Sequence, residues 1–204
     1  MGTVVALGCG LVGRFVIERL IEAEHDVIVI DLKIPESLRT NPKVEAREGD
    51  ALEHIKALEP NQTVVNMLPG RIGDLVRAPL LQGGHNVVDL AFTAEDPHRH
   101  QAIAEANDSV LLWDVGIAPG ISNMLVKQAF EALGPLTSVS IKVGGNPCQM
   151  DDEWSYMAPF SPSDVIEEYT RPARIRVNGL TKEVPALTER HAIEVEGYGT
   201  MEAF

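Results

Sequence analysis

The amino-terminal stretch is Thr3-Val4-Val5-Ala6-Leu7-Gly8-Cys9-Gly10-Leu11-Val12-Gly13-Arg14-Phe15-Val16-Ile17, an apolar run that leads directly into Gly-x-Gly-x-x-Gly. Apolar residues at a helical period follow the glycines. Gly8 permits a tight turn, Gly10 lets the backbone approach a pyrophosphate, and Gly13 lets the helix pack close to the strand. The stretch therefore predicts a strand, a dinucleotide-binding turn and a helix whose free N–H groups face the phosphates.

An acidic residue at the end of the next strand supports this interpretation. The second strand is predicted over 26–32, and Asp31 lies 23 positions after Gly8. A carboxylate at about this distance accepts hydrogen bonds from the adenosine ribose and repels a 2′-phosphate, so NAD is favoured over NADP. Lys33 softens that preference.

Ligands of open α/β sheets bind beyond the carboxyl ends of the strands, so the loop after the fourth strand is expected to line the nicotinamide side. The residues predicted to bind the cofactor are Gly8, Cys9, Gly10, Leu11, Val12, Gly13, Asp31, Leu32, Met67, Leu68 and Pro69.

Composition excludes several other classes of function. The chain has 204 residues, of which 45% are hydrophobic, and a formal net charge of −13. This acidity argues against nucleic acid and anionic membranes as partners, because both need clustered Lys and Arg. Cys9 and Cys148, the two cysteines, form no disulfide framework, which fits a reducing cytoplasm. No apolar run reaches membrane-spanning length, and no signal peptide is predicted.

Strand and helix patterns alternate over the first part of the chain. Strands are predicted over 3–7, 26–32, 44–50, 63–68, 86–91 and 109–115, with a helical segment over 94–107 among the intervening helices. Six strands with intervening helices predict an α/β fold, a Rossmann-type doubly wound parallel sheet. We assign residues 1–122 to this NAD-binding domain.

The pattern changes after Pro119-Gly120. Helices are predicted over 121–133 and from Ser161 to about Arg171, a half-buried strand over 137–143, a hairpin about Asn178-Gly179 and a last strand over 191–196. Residues 123–204 are therefore expected to form a smaller α+β domain with an antiparallel sheet, for substrate binding or oligomerisation.

Several motifs resemble the saccharopine dehydrogenase-like family of amino-acid dehydrogenases, in particular its lysine 6-dehydrogenase branch. The matching segments are Gly8-Cys9-Gly10-Leu11-Val12-Gly13, Asn66-Met67-Leu68-Pro69, Asp114-Val115-Gly116-Ile117-Ala118-Pro119-Gly120-Ile121-Ser122-Asn123, Val143-Gly144-Gly145-Asn146-Pro147, Phe160-Ser161-Pro162, Glu168-Tyr169 and Gly199-Thr200-Met201-Glu202-Ala203-Phe204. Family members usually continue well past the position of Phe204, so the resemblance also implies a short form, a truncation or a fragment.

The resemblance implies NAD-dependent hydride transfer from a carbon that bears an amine. For L-lysine, oxidation at the ε-carbon gives an imine, which water hydrolyses to release ammonia. Saccharopine or a carboxylated polyamine precursor is the alternative substrate, and a non-catalytic nucleotide-binding remnant is the alternative from another class. A second domain with an apolar sheet face is also expected to self-associate.

The amine must lose a proton before hydride leaves, which calls for a nearby general base. Asp114, at the predicted end of the sixth strand, is the first candidate, and the alternative is that it ties down the following loop. Asp89 is the second candidate, unless it lies too early and faces a helix. Asn123 either binds substrate or caps the next helix. No metal site is predicted, and His98 and His100 are expected on a solvated face.

Overall fold

The computed structural model describes residues 2–147, 149, 157 and 160–204. The chain divides into two compact units, Met1–Val143 and Gly144–Phe204. The predicted boundary lay earlier, after residue 122, and the helix that follows it belongs to the first unit. The functional assignment of the two regions stays a prediction.

The first unit contains a parallel sheet of six strands. The strands are β1 (Thr3–Leu7), β2 (Asp26–Asp31), β3 (Val44–Glu48), β4 (Thr63–Asn66), β5 (Asn86–Asp89) and β6 (Leu111–Leu112). Their order is β3-β2-β1-β4-β5-β6, so the direction of strand addition reverses between β1 and β4. All described pairings within this sheet are parallel. The predicted doubly wound fold is confirmed.

Six helices accompany this sheet in the described part of the first unit. They are α1 (Leu11–Glu22), α2 (Glu36–Arg39), α3 (Ala51–Ile55), α4 (Gly70–Gln82), α5 (Gln101–Ala106) and α6 (Ile121–Leu133). The helix expected over 94–107 begins later in the chain, with a 3-10 turn over Pro97–His100 that continues into α5.

Alternate residues of the central strands supply two separate cores. Val5 and Leu7 pack in one cluster with Leu80 of α4, whereas Ala6 packs in the other with Ile17 of α1. Successive side chains of a strand point to opposite faces, and helices cover both faces of this sheet. This explains why the central strands are apolar runs and not alternating patterns.

Two predicted strands differ from the structure. Only Leu111 and Leu112 of the segment 109–115 pair with β5, and the backbone leaves the extended region at Asp114, where φ is +55°. The segment 137–143 has the alternation of a strand, but it pairs with no strand in the described part of the chain. Its apolar residues Val139 and Ile141 are about half exposed. Alternation alone does not supply the hydrogen-bonding neighbour that a strand needs.

The second unit contains one helix and two small antiparallel sheets in its described residues. The helix α7 (Pro162–Thr170) begins after Ser161 with proline at its first position, as predicted. The hairpin of β7 (Ala173–Val177) and β8 (Leu180–Val184) turns at Asn178 and Gly179, both of which have positive φ.

A second hairpin forms from β9 (His191–Val195) and β10 (Gly199–Ala203), and the sequence analysis missed β10. The α+β character of this region is confirmed, with two two-stranded sheets in place of one.

We expect Gly13→Ala to lower the free energy of unfolding. A Cβ atom at this position would lie 2.3 Å from the carbonyl oxygen of Gly8. Backbone cannot move aside as a flexible side chain can, so we expect a loss of about 1–3 kcal/mol, as in other overpacked cores. Urea denaturation measures it. Gly10→Ala is the matched control, because its Cβ would meet no atom within 4 Å. Equal stability of the two variants would contradict the close packing.

Candidate functional site

The glycines of the β1–α1 turn have different structural roles. Gly8 has φ of +93° and lies against the backbone of Met67, with the carbonyl oxygen of Met67 3.0 Å from an ideal Cβ. Gly13 brings α1 against the carbonyl of Gly8, as described above. Gly10 has ordinary φ of −68° and open space around it. Neither backbone strain nor protein packing therefore explains the glycine at position 10, which fits a position reserved for a ligand.

The start of α1 has the features of an anion site. Gly10 precedes the helix, no side chain caps it, and its first turn holds no acidic residue. The first intrahelical hydrogen bond runs from the Arg14 N–H to the Gly10 carbonyl at 3.0 Å. The amides of Leu11, Val12 and Gly13 precede that bond and have no partner within the helix, and the helix dipole adds partial positive charge there. A diphosphate is a ligand that suits this arrangement.

Asp31 at the end of β2 reaches back to the same turn. Its Oδ2 accepts a hydrogen bond from the Cys9 amide at 2.7 Å, and its Oδ1 accepts one from the Lys33 amide at 3.2 Å. A carboxylate has about four lone-pair sites, so two protein donors leave acceptor capacity for ribose hydroxyls. Leu32 beside it is 76% exposed. The structure thus brings the predicted ribose acceptor to the predicted phosphate turn.

Cys9 lies inside this arrangement and is buried. Burial, followed by the negative charge of Asp31, raises the pKa of its thiol to about 12. The thiol donates a weak hydrogen bond to the Lys33 carbonyl at 3.5 Å. Cys9 therefore contributes its backbone amide and the volume of its side chain to the site. Its thiol stays protonated near neutral pH.

The loop after β4 borders the turn on its other side. The Met67 amide donates to the Leu7 carbonyl at 2.9 Å, which continues the β1–β4 ladder by one residue. Leu68 is half-buried, and exposed Pro69 precedes α4. The predicted cofactor residues on both sides of the strand-order reversal therefore lie next to each other.

Asp89 occupies a buried position at the end of β5. Its side chain is 0% exposed and accepts hydrogen bonds from Arg77 Nε at 2.7 Å, Asn66 Nδ2 at 3.0 Å and the Ala91 amide at 2.7 Å. Asp89 thus faces α4, which is the alternative that the sequence analysis named. Its contacts suit a structural anchor, and its role as a general base stays a prediction.

Arg77 is the member of this cluster that the sequence analysis missed. It lies on α4, three residues after Asp74, and its guanidinium is fully buried. The sequence showed only an arginine flanked by apolar residues on a predicted helix. This pattern is as typical of a solvent-exposed arginine as of a buried one.

The expectation of a solvated histidine pair was wrong for one of the two. His98 is exposed, but His100 is buried beside Asp74, with 3.8 Å between Nε2 and Oδ1. Burial, then the charge of Arg99, lowers the pKa of His100. Arg99 also pairs with Asp74. His100 is the last residue of the 3-10 turn over Pro97–His100, and its ring lies beside Asp74 of α4.

The other candidate base lies at the end of the sheet's last strand. Asp114 follows β6 by two residues and is half-buried. The next amide, of Val115, donates to the Asp89 carbonyl at 3.1 Å, which brings this segment to the edge where β5 ends. Asn123 caps α6, because its Oδ1 accepts from the Gly120 amide at 3.1 Å.

Membrane-spanning and metal-binding features are both absent from the described residues. No helix among them is both long and apolar enough to span a bilayer. No three of their His, Cys, Asp or Glu side chains are grouped so as to hold a metal ion. Cys148 lies outside the described residues.

Known proteins are similar to this chain in sequence and in structure. Residues 116–204 match the family model of the saccharopine dehydrogenase C-terminal domain. The apo saccharopine dehydrogenase (L-Glu forming) from Saccharomyces cerevisiae is similar in structure, with a TM-score of 0.66 and 17% identity over 97% of this chain and 48% of that one. The homospermidine synthase from Legionella pneumophila, solved in complex with NAD, has a TM-score of 0.55 and 14% identity over 100% of this chain and 58% of that one.

The parallel sheet and its glycine turn define a protein of the Rossmann type. Residues 116–204 are in addition similar to the C-terminal domain of saccharopine dehydrogenase. The resemblance seen in the sequence is confirmed at this level, whereas its lysine 6-dehydrogenase branch stays a prediction. The chain spans about half the length of the two solved structures.

We expect Cys9 to resist alkylation in the folded chain. At pH 8 an unfolded thiol is partly ionised, whereas a pKa of about 12 keeps Cys9 protonated. The measurement is mass-spectrometric labelling with iodoacetamide in a Cys148→Ser background, in buffer and in urea. Because the folded pKa lies above the value of 9.0 for a free thiol, this group favours folding below pH 9, and the preference is lost as the pH rises toward 12. Equal labelling rates in both states would contradict the buried placement.

Proposed function

We propose that this chain binds NAD at the β1–α1 turn and serves an oxidoreductase that acts on the CH–NH2 group of an amino acid. One observation carries the proposal: the uncapped start of α1 lies beside an acidic residue that is held against the same turn. The family match and a similar structure solved with NAD support the reaction class.

The residues present fit this cofactor. The amides of residues 11–13 would hold the pyrophosphate, and Asp31 would accept hydrogen bonds from the adenosine ribose. Because its carboxylate would repel a 2′-phosphate, we propose NAD as the preferred form over NADP. Leu32 would lie beside the adenosine, and Met67, Leu68 and Pro69 would line the nicotinamide side.

When bound, the nicotinamide ring supplies the hydride acceptor. The chain's own task is to hold the substrate amine and to take its proton. Asp114 is the residue that we propose for this task, since a carboxylate both attracts a cationic amine and accepts a proton. Its place at the carboxyl edge of the sheet supports this role. In the alternative role, Asp114 only ties down the following loop, and another group accepts the proton of the amine.

L-Lysine, oxidised at the ε-carbon, is the substrate that we propose. Saccharopine or a carboxynorspermidine-type compound is the second candidate, favoured by the similarity to saccharopine dehydrogenase. We further propose that the protein acts in the cytoplasm and associates with itself through the second region. The exposed strands β7 and β8 support self-association, because unpaired sheet edges seek partners.

We expect Gly10→Ala to weaken NAD binding without loss of folding. The new methyl group meets no protein atom, but it would occupy space that the pyrophosphate needs. We expect the dissociation constant for NAD to rise about tenfold or more, which is roughly 1.4 kcal/mol. Isothermal calorimetry measures it, and Gly2→Ala, another glycine with open space around it, is the matched control. Unchanged affinity in the Gly10 variant would contradict the phosphate site.

The substrate is tested by a screen for reduced cofactor. We expect absorbance at the wavelength of NADH to rise with lysine and to be abolished by Asp114→Ala, because the amine proton then lacks its acceptor. Asp114→Asn is the matched variant of similar size. If the absorbance rises only with saccharopine, saccharopine replaces lysine as the proposed substrate. If the chain binds NAD tightly but oxidises no amine, the result favours a non-catalytic nucleotide-binding remnant.

A further inference from the structure

We infer that Arg77 is a positioning residue for the nicotinamide half of the coenzyme. This inference rests on the proposed NAD site and goes beyond it, because Arg77 lies outside the glycine turn and its guanidinium is fully buried. Its role would be to hold in place the backbone on which the ring lies.

The guanidinium of Arg77 joins the end of β5 to the loop that follows. Its Nε donates to Asp89 at 2.7 Å, one terminal nitrogen donates to the Thr93 hydroxyl at 2.8 Å, and the other donates to the Ala91 carbonyl at 3.4 Å. A planar fork of donors fixes direction as well as distance. Residues 89–93 are thereby held at three points by one side chain.

The same cluster connects this loop to the loop after β4. The register pairs Asn66 with Asp89, and Asn66 Nδ2 donates both to Asp89 and to the Gly73 carbonyl, each at 3.0 Å. Asn66 Oδ1 accepts from the Leu68 amide at 3.4 Å. The ends of β4 and β5 and the start of α4 are thus tied to one another by buried polar contacts.

Close packing reinforces these ties. A Cβ on Gly70 would lie 1.9 Å from the carbonyl oxygen of Phe92, and a Cβ on Gly73 would lie 2.3 Å from the Cβ of Ala91. The first turn of α4 therefore lies directly against residues 91–93. A shift of this loop would be passed on to Leu68 and Pro69.

The location of these loops assigns them to one half of the coenzyme. In doubly wound sheets a dinucleotide lies across the reversal of strand order, with one mononucleotide over each half. Asp31 on β2 marks the adenosine half, so the half formed by β4, β5 and β6 faces the nicotinamide. Replacing a buried ion pair with apolar residues is often neutral or stabilising. The presence of a buried arginine here is therefore better explained by the need to hold this loop in position than by a contribution to the stability of the fold.

The test compares two ligands on the full chain. Calorimetry with NAD and with ADP-ribose, which lacks the nicotinamide ring, is carried out for the wild type, Thr93→Val and Thr93→Ser. Valine removes the hydroxyl that accepts from Arg77, whereas serine keeps it, and both leave the Arg77–Asp89 pair intact. Arg77→Lys, which keeps the charge but loses the fork, is the second variant, and circular dichroism monitors folding.

We expect Thr93→Val to weaken NAD binding about threefold to tenfold, the effect of losing one hydrogen bond, with ADP-ribose binding unchanged. Thr93→Ser should bind both ligands as the wild type does, and Arg77→Lys should lose more NAD affinity than Thr93→Val. Emission from bound NADH should change in the same order, because it reports the surroundings of the ring.

Two results would overturn the inference: unchanged NAD affinity in folded Thr93→Val, or equal losses for NAD and ADP-ribose. If Arg77→Lys does not fold, the Thr93 pair alone gives the answer. A wild-type chain that binds neither ligand would refute the proposed function itself, and with it this inference. A wild type that binds both ligands, with variants that do not discriminate between them, would refute the inference alone.

Discussion

The contact between Gly13 and the carbonyl of Gly8 is the constraint on which the first unit depends. With 2.3 Å between that oxygen and the place where a Cβ would stand, only glycine lets α1 begin directly over the end of β1. That approach puts the free amides of the helix at the carboxyl edge of the sheet and seats Ile17 in the core. Packing and the candidate phosphate site thus have the same geometric cause.

A second set of contacts lies along the same edge, and these are polar. Asp31 ties the end of β2 to the amide of Cys9, while Asn66 and Asp89 tie the ends of β4 and β5 to each other and to Arg77. Each carboxylate or amide is the last residue of a strand, and its hydrogen-bond partners lie in the neighbouring loops, strand or helix. Burial makes an unpaired group costly, and this holds the loops in one arrangement.

Local signals predicted most of the elements. The helix over 121–133 and the turn at Asn178-Gly179 are where the residues indicated, because caps and turn glycines act within a few positions of the chain. The segment 137–143 was predicted as a strand and β10 was missed, since a strand exists only where another segment supplies its hydrogen bonds. The glycine turn and the place of Asp31 beside it were predictable from spacing, whereas the surroundings of Asp89 were not.

Glycine spacing, strand-like apolar runs and one acidic residue at a strand end are enough to establish the Rossmann-type sheet and to propose its cofactor, because each acts through backbone conformation or through the next element of the chain. Only the folded arrangement accounts for the burial of Arg77 and His100. The same holds for the hydrogen bonds that Asp89 accepts from a helix, a strand and a loop. Asn66 and Asp89 are neighbours because of the β4–β5 register, and Arg77 reaches them because α4 crosses that edge. Such contacts join residues far apart in the chain, so no local pattern contains them.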